Sequence, residues 1–206
     1  MRNIADNTVR RLSLYLRFLE EFQHEGASTV SSEALASRGG TTSAQVRKDL
    51  SFFGSFGKRG LGYSVPQLIK RLREILGLGR RYRVVVVGAG KIGSALVQYR
   101  GFGQRGFDII AIFDSDPTKI GQRWNGIAVR DIAQLEKDCG QLKPDIAVIV
   151  TPGDVAQSVT DRLVKTGVTA ILNFAPVQLT VPSHVVVKTV NLVLELEALS
   201  FALANR

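Results

Sequence analysis

The chain has few of the residues on which disulfides and metal sites depend. Among its 206 residues are one cysteine, Cys139, and two histidines, which excludes an internal disulfide and a multi-cysteine zinc site. It also has no long hydrophobic run: the longest, residues 84–90, is far shorter than the roughly 20 residues of a membrane helix. Residues 1–22 lack the apolar core of a signal peptide. We therefore expect a cytoplasmic protein that binds neither a metal nor a membrane.

Acidic residues are outnumbered by basic ones. The chain has 27 Lys and Arg against 18 Asp and Glu, a formal net charge of +9, which suggests a polyanionic partner. Residues 1–80 hold 13 of the basic and seven of the acidic residues, so most of the excess lies there. The glycine-rich, basic segment GLGRRY (77–82) predicts a domain boundary. We expect domains at residues 1–78 and 79–188, followed by a C-terminal segment, 189–206.

The first domain shows the pattern of a winged helix–turn–helix. Apolar residues at helical spacing predict helices over about 7–24, 32–37, 43–53 and 67–77. Glycines interleaved with basic and β-prone residues predict a small hairpin after the third helix. Two short helices joined by a Gly-containing turn, the second one polar and basic, are typical of a DNA-recognition element.

Six polar side chains of this domain are candidates for DNA contacts. Arg47 suits a bidentate contact with guanine and Gln45 one with adenine, whereas Lys48 suits a phosphate. The hairpin places two cations on a tight turn, as a wing does for the DNA backbone or minor groove. The candidates are Ser43, Gln45, Arg47, Lys48, Lys58 and Arg59. The alternative is a solvated basic face on a small helical domain.

Beyond residue 80, short apolar runs alternate with helical stretches. The runs are residues 84–87, 108–114, 145–150, 168–172 and 184–188. Near-continuous Val/Ile runs are typical of parallel strands buried on both faces. The stretches 93–100, 131–139 and 154–166 suit crossover helices. We therefore predict an α/β domain with a Rossmann-like parallel sheet.

The segment VVVVGAGKIGSAL (84–96) carries the strongest local signal. Its GxGxxG follows a strand, opens a helix and precedes Asp114, which lies 21 residues after Gly93 at the end of the next strand; this is the context of a dinucleotide site. Gly88 would permit the tight turn, Gly90 the approach of the pyrophosphate, and Gly93 close helix–strand packing. Asp114 would bind the ribose hydroxyls and disfavour a 2′-phosphate, which favours NAD(H). The alternative is a turn that binds nothing, or another nucleotide such as CoA.

Two other strand ends and the C-terminus complete the pattern. Thr151-Pro152 and Asn173-Phe174 follow predicted strands, at the crevice where such sheets bind ligands. We expect them to line the nicotinamide half of the pocket, or else to be loop residues. Residues 191–206 are apolar nearly all round, which favours burial against an oligomer partner.

Together these motifs resemble the Rex family of redox-sensing transcriptional repressors. The matching segments are QVRKDLSFFGSFGKRGLGY (45–63), GAGKIGSAL (88–96), YRGFG (99–103), FDSDPTKIG (113–121) and ILNFAPVQLTVP (171–182). The resemblance extends from Arg11 to about Phe201. It implies a homodimer that binds palindromic, double-stranded operator DNA and is released by NADH, with NAD⁺ as a weaker competitor.

The resemblance also implies residue roles. The pyrophosphate would be held by Gly88, Ala89, Gly90, Lys91, Ile92 and Gly93. Tyr99 would act in the switch near the nicotinamide, and the C-terminal helix would be exchanged between subunits. Arg17 resembles an arginine that pairs with an aspartate on the partner's exchanged helix, but this sequence has Asn191-Leu192 there. Asn191 is uncharged, so its bond to Arg17 would be weaker than a charge-assisted one.

Two alternatives to a repressor are weaker. A dehydrogenase with an appended basic domain needs a catalytic acid or base, and neither histidine follows a crevice-facing strand end. We therefore expect no enzymatic activity. A CoA-binding module shares the sheet pattern, but Asp114 argues against it.

Overall fold

The computed structural model describes residues 4–54, 56–58 and 61–205, and of Lys58 only the backbone. The chain forms two compact units, Met1–Arg80 and Arg81–Arg206. Each unit has a hydrophobic core of its own, and each is described separately below.

The first unit is built from four helices and a small sheet. Its elements are α1 (Asp6–His24), β1 (Thr29–Val30), α2 (Ser32–Gly39), α3 (Ser43–Ser51), β2 (Gly57–Lys58), β3 (Gly62–Ser64) and α4 (Val65–Ile75). Helix α1 buries Leu12, Tyr15, Leu16 and Leu19 on one face, the helical spacing seen in the sequence. It packs mainly against α4.

Two capping residues set the starts of the two helices of the helix–turn–helix. The Ser31 hydroxyl accepts a hydrogen bond from the Ala34 backbone N–H at the start of α2, and Thr42 accepts one from Gln45 at the start of α3, each at 3.1 Å. Gly40, in the left-handed region at φ +57°, ends α2 because glycine adopts that conformation without steric cost. Strand β3 pairs antiparallel with both β1 and β2, which forms the predicted wing.

The second unit is an α/β domain. Its elements are β4 (Tyr82–Val87), α5 (Lys91–Gln98), α6 (Gly101–Gln104), β5 (Phe107–Asp114), β6 (Arg123–Trp124), β7 (Ile127–Asp131), a 3₁₀ turn (Ile132–Gln134), α7 (Leu135–Leu142), β8 (Ile146–Ile149), α8 (Gly153–Lys165), β9 (Ala170–Asn173), β10 (Val186–Thr189) and α9 (Leu192–Ala204). The sheet order is β10-β9-β8-β4-β5-β7-β6. Every pair is parallel except β6–β7. Without β6, the strands follow the order of a Rossmann sheet.

The predicted helix over 131–139 is wrong at its start. Asp131 ends strand β7, and the α-helix begins at Leu135 after the 3₁₀ turn. Strand β7 itself was not predicted, because IAVRD has too short an apolar run to stand out as a strand.

The two faces of the sheet are covered differently. Val85 and Val87 point into a core completed by α7 and α8, whereas Val84 and Val86 point to the side of α5. In the described chain no helix connects β5 to β7 or β9 to β10. An open groove of about 320 Å³ therefore remains over Val86, Val148, Leu172 and Val186. We call it the apolar groove.

Candidate functional site

The ends of four parallel strands bring the predicted ligand residues to one edge of the sheet. In the register, Val87 lies beside Phe113 and Ile149, and Ile149 lies beside Asn173. The residues that follow or end these strands are Gly88, Asp114, Thr151 and Asn173. Ligands of open α/β sheets bind at this edge.

The three glycines of the GxGxxG segment serve three different purposes. Gly88 has φ +109°, and a Cβ there would lie 2.7 Å from the carbonyl oxygen of Val150. A Cβ on Gly93 would overlap the carbonyl oxygen of Gly88. By contrast, a Cβ on Gly90 would meet no described atom within 4 Å. Gly88 and Gly93 are thus required by the fold, whereas Gly90 leaves space open on the ligand side.

Helix α5 begins at this open space. Gly90 is its N-cap, and no described side chain caps the helix. The first backbone N–H groups of a helix have no intrahelical partner and carry partial positive charge, which suits a pyrophosphate. Lys91 and Ile92 are exposed beside them. A neighbouring open groove of about 610 Å³ is lined in part by Lys91, Lys119 and Trp124.

Thr151 provides an independent sign of a ligand. Its Oγ1 is buried and has no hydrogen-bond partner among the described residues. Buried polar atoms are seldom left unsatisfied, and such an atom calls for an explanation. A hydroxyl next to Gly88 at this end of the strands can hydrogen-bond to a dinucleotide, so the residues present fit the group.

Asp114 is almost fully buried and braces the glycine-rich loop. One carboxylate oxygen accepts the Ala89 N–H at 2.5 Å, and the other accepts the Asp116 N–H at 2.8 Å. The ammonium of Lys119 lies 3.6 Å from the first oxygen. Lys119 was not predicted, because a lysine in a loop has no pattern that marks it. The carboxylate keeps lone pairs for ribose hydroxyls while its charge is partly balanced.

The other predicted pocket residues differ in exposure. The Asn173 amide is buried and bonded within its own loop: it donates to the Val177 carbonyl at 2.9 Å and accepts from the Ala175 N–H at 2.9 Å. Phe174 is half-buried and packs against the core on the α5 side. Pro152 is exposed as the N-cap of α8. In this structure Asn173 therefore shapes the loop that carries Phe174.

Tyr99 lies at the end of α5 opposite Gly90. The residue is 61% exposed, and its ring packs edge-on against Phe102, with centroids 5.1 Å apart. A Cβ on Gly101 would lie 2.5 Å from this ring, so glycine there makes room for Tyr99. The described chain leaves Tyr99 accessible to a partner.

The recognition helix α3 presents its polar residues unequally. Arg47 and Lys48 are exposed, whereas Ser43 and Gln45 are half-buried. The Arg47 guanidinium donates to the Ser32 hydroxyl at 2.9 Å and lies 3.3 Å from the Glu33 carboxylate. The backbone of Lys58 lies in β2; Arg59 falls outside the described residues.

A buried carboxylate connects α3 to α1. Asp49 is 0% exposed, and it accepts two hydrogen bonds from Arg11, at 2.6 and 2.7 Å, one from the Tyr15 hydroxyl at 3.0 Å and one from Gln45 Nε2 at 2.8 Å. Burial would raise the pKa of Asp49, but these bonds outweigh it and lower the pKa. Burial, with Asp49 beside it, raises the pKa of Tyr15 to about 12. We call these four residues the Asp49 cluster.

Helix α9 stands apart from the core of its unit. All of its residues are exposed, including Leu192, Leu196 and Leu199. Asn191 is its N-cap, and the side-chain oxygen accepts the Val193 N–H at 3.0 Å. In the first unit, Arg17 is exposed and lies 3.7 Å from Glu21.

The described residues lack both a candidate metal site and a candidate membrane span. They contain no group of three or more His, Cys, Asp or Glu that could hold a metal ion. Within the same residues, no helix combines the length and apolar character needed to cross a membrane.

Comparisons with known proteins place the chain in a family. Residues 3–51 match the family model "Putative DNA-binding protein N-terminus", and residues 80–177 match the "CoA binding domain" model. A redox-sensing transcriptional repressor Rex of Carboxydothermus hydrogenoformans is 50% identical over 96% of this chain and 95% of that protein. One of Streptomyces coelicolor is 47% identical over 97% of this chain and 78% of that protein. The chain belongs to the Rex family.

Solved Rex-family structures agree. The repressor RSP, in complex with β-NAD⁺ and operator DNA, matches with a TM-score of 0.94 at 36% identity, covering 100% of this chain and 94% of that one. RSP in complex with β-NADH matches with a TM-score of 0.90 at 35% identity, covering 100% and 96%. These matches confirm the Rex resemblance and the fold class, a DNA-binding domain followed by a Rossmann-like domain. Exchange of the C-terminal helix stays a prediction.

Proposed function

We propose that this chain is a redox-sensing repressor that binds operator DNA as a homodimer and leaves it when NADH binds, with NAD⁺ as the weaker competitor. Its family consists of regulators rather than enzymes. The chain would then report the cytoplasmic NADH/NAD⁺ ratio by occupying or vacating its operator.

The observation that carries the ligand proposal is the cradle at the carboxyl edge of the sheet. Gly90 leaves space at a helix N-terminus that no described side chain caps, and the Thr151 hydroxyl next to Gly88 is buried without a described hydrogen-bond partner. When bound, the dinucleotide would place its pyrophosphate on these N–H groups and its adenosine ribose at Asp114 and Lys119. Ala89, Lys91, Ile92 and Gly93 would form the rest of the loop, with Pro152 and Phe174 toward the nicotinamide.

The DNA contacts are proposed for the recognition helix and the wing. Ser43, Gln45 and Arg47 would face base edges, and Lys48 a phosphate. Lys58 and Arg59 would reach the backbone or minor groove from the wing. To reach DNA, Arg47 must release the Ser32 hydroxyl and the Glu33 carboxylate. The exposed ion pair with Glu33 contributes little to stability.

The homodimer is proposed from two complementary surfaces of the second unit. The apolar groove is uncovered, and α9 is apolar yet wholly exposed. An isolated 13-residue helix is marginally stable in water, so α9 needs a covering surface. Helix α9 of a second copy would pack into the groove. Each copy would bury its α9 in the groove of the other, as expected of a two-fold dimer.

The switch is proposed to act through Arg17, Tyr99, Asn191 and Leu192. NADH can release DNA only if it binds the DNA-incompetent arrangement of the dimer better than the competent one. Operator DNA must then weaken NADH binding by the same factor. Arg17 and Tyr99 are both exposed in the described chain, and in the proposed dimer either would donate a hydrogen bond to Asn191 at the start of the partner's exchanged helix.

Calorimetric titration of the purified protein tests the ligand, and selection from random duplexes tests the DNA. We expect NADH to bind more tightly than NAD⁺, and both more tightly than CoA or NADPH. A palindromic duplex should emerge from the selection. Preferential binding of CoA would instead favour the ligand named by the matched domain model, and failure to select any duplex would contradict the repressor proposal.

A further inference from the structure

The Asp49 cluster lies under a residue proposed to read a base. We propose that Asp49 is a positioning residue that fixes the side-chain amide of Gln45 in one orientation for base recognition. This inference rests on the proposed DNA-binding function and adds to it a determinant of sequence specificity that does not itself contact DNA.

The chemistry of the contact sets the orientation of the amide. An ionised carboxylate only accepts hydrogen bonds, whereas a glutamine amide has a donating nitrogen and an accepting oxygen. Asp49 Oδ1 therefore selects Nε2, at 2.8 Å, and turns Oε1 away from itself. Gln45 keeps its carbonyl oxygen and one amide hydrogen, the acceptor and donor that a bidentate contact with adenine requires.

Asp49 is itself held in place from a different helix. Arg11 donates to both of its oxygens, and the Tyr15 hydroxyl donates to Oδ2. Both donors lie on α1, so the carboxylate cannot turn with the Gln45 side chain. Gln45 is thus ordered before it meets DNA, which removes part of the entropy cost of binding.

A purely structural role of Asp49 predicts a different effect of its substitution on DNA binding. If it only joined α3 to α1, its loss would weaken binding to every sequence alike. A positioning role instead predicts a loss of discrimination at the base read by Gln45. The salt dependence of binding should not change, because it counts phosphate contacts.

The experiment measures the affinity of the full-length protein for the selected operator and for every duplex with one base pair changed. Gln45→Ala locates the position read by Gln45, where discrimination should fall about 5- to 100-fold. In Asp49→Asn, discrimination at the same position should fall at least about fivefold. The asparagine amide both donates and accepts hydrogen bonds, so it no longer selects Nε2 of Gln45. Tyr15→Phe is the matched control: it removes one hydrogen bond to Asp49, leaves Gln45 held, and should keep the wild-type discrimination.

Three results would overturn the inference: unchanged discrimination in Asp49→Asn, an equal loss at all positions, or no position-specific loss in Gln45→Ala. Failure of the wild-type protein to select any operator is a different result, because it overturns the proposed function and the inference with it. A wild type that binds, beside an Asp49→Asn variant that discriminates equally well, overturns the inference alone.

If Asp49→Asn does not fold, the wild-type protein supplies the second test. In ¹⁵N-labelled protein, the Gln45 side-chain amide should exchange with water about tenfold more slowly than that of exposed Gln23, in keeping with a hydrogen bond to a charged acceptor. Equal exchange at the two glutamines would show that Asp49 does not hold Gln45.

Discussion

Gly90 differs from the other glycines of its loop because no described atom lies close enough to exclude a side chain there. The fold excludes a side chain at Gly88 and Gly93 through backbone atoms, but at Gly90 a Cβ would enter open space. A side chain at position 90 should therefore weaken ligand binding and leave the stability of the fold unchanged.

Gly90→Ala separates these two effects. We expect its free energy of unfolding to stay within about 0.5 kcal/mol of wild type, while its Kd for NADH rises about tenfold or more through lost N–H contacts with the pyrophosphate. Chemical denaturation and calorimetry measure the two quantities. Gly140→Ala, at another open helix position, should bind NADH normally. Normal binding by Gly90→Ala would mean that the pyrophosphate lies elsewhere.

Thr151→Val should move stability and binding in opposite directions. The substitution removes a buried hydroxyl without a described partner, so the ligand-free protein should gain about 1 kcal/mol. The same change should weaken NADH binding about tenfold. Thr160→Val is the matched control, because the Thr160 hydroxyl already donates to the Ala156 carbonyl at 2.7 Å and lies outside the site. Unchanged NADH affinity in Thr151→Val would remove this hydroxyl from the ligand.

Tyr15 should make the folded protein less stable at high pH. Its pKa is raised to about 12 in the folded protein but lies near 10 in an unfolded chain. As the pH rises, Tyr15 therefore loses its proton first in the unfolded state. Its contribution to the free energy of unfolding is complete below pH 10 and is lost as the pH rises through 12. The loss amounts to at most about 2–3 kcal/mol.

Urea titrations between pH 9 and 12 measure this loss. Tyr15→Phe should flatten the decline, and Tyr99→Phe, which alters an exposed ring, should leave it as in wild type. A decline that is equally steep in Tyr15→Phe would assign it to other groups.

Among the elements, those with strong periodicity could be predicted and those with mixed composition could not. The run at 84–87 and the helix over 7–24 were located within a few residues, because each buries a regular apolar face. Strand β7 was missed because two of its five residues are charged. Helix α6 was missed because GFGQ contains two glycines.

The candidate site was predictable to a similar extent. The GxGxxG motif predicts a tight turn at Gly88 and close packing at Gly93, and the contacts at both glycines agree with this. The pyrophosphate at Gly90 stays a prediction. The Asp49 cluster was not predictable, because an aspartate in a polar helix looks like a surface residue until α1 is packed over it. Nor could the sequence distinguish Asn173 as a loop anchor from Asn173 as a ligand residue, since both use the same amide.

Helix α9 is the element on which dimerisation is expected to depend. Leu196 is 65% exposed in the single chain, so Leu196→Asp should leave each unit folded. It should weaken the dimer by at least about tenfold, because a buried leucine contributes about 1.5–3 kcal/mol. Sedimentation equilibrium distinguishes the dimer from the 22.5 kDa monomer, and Glu197→Gln on the same helix is the control. A wild-type monomer, or an unaffected Leu196→Asp dimer, would contradict the exchanged-helix proposal.

On the scale of the whole molecule, DNA binding by the first unit and NADH binding by the second must be coupled. The first carries most of the excess positive charge, and the second carries the dinucleotide cradle and the apolar helix. In the proposed homodimer neither unit is sufficient alone, because NADH can influence the operator only by favouring one arrangement of the dimer over another. Asn191, where the resemblance leads one to expect an aspartate, would bond to Arg17 more weakly than a charged partner and would thereby bias the proposed switch.

The central claim is tested most directly by titrating the protein–operator complex with NADH and, separately, with NAD⁺, while following the fluorescence anisotropy of labelled DNA at fixed salt. We predict that NADH releases the operator at concentrations at which NAD⁺ leaves it bound, and that the Gly90→Ala complex needs about tenfold more NADH. An operator complex that ignores NADH, or that responds equally to both dinucleotides, would contradict redox sensing by this chain.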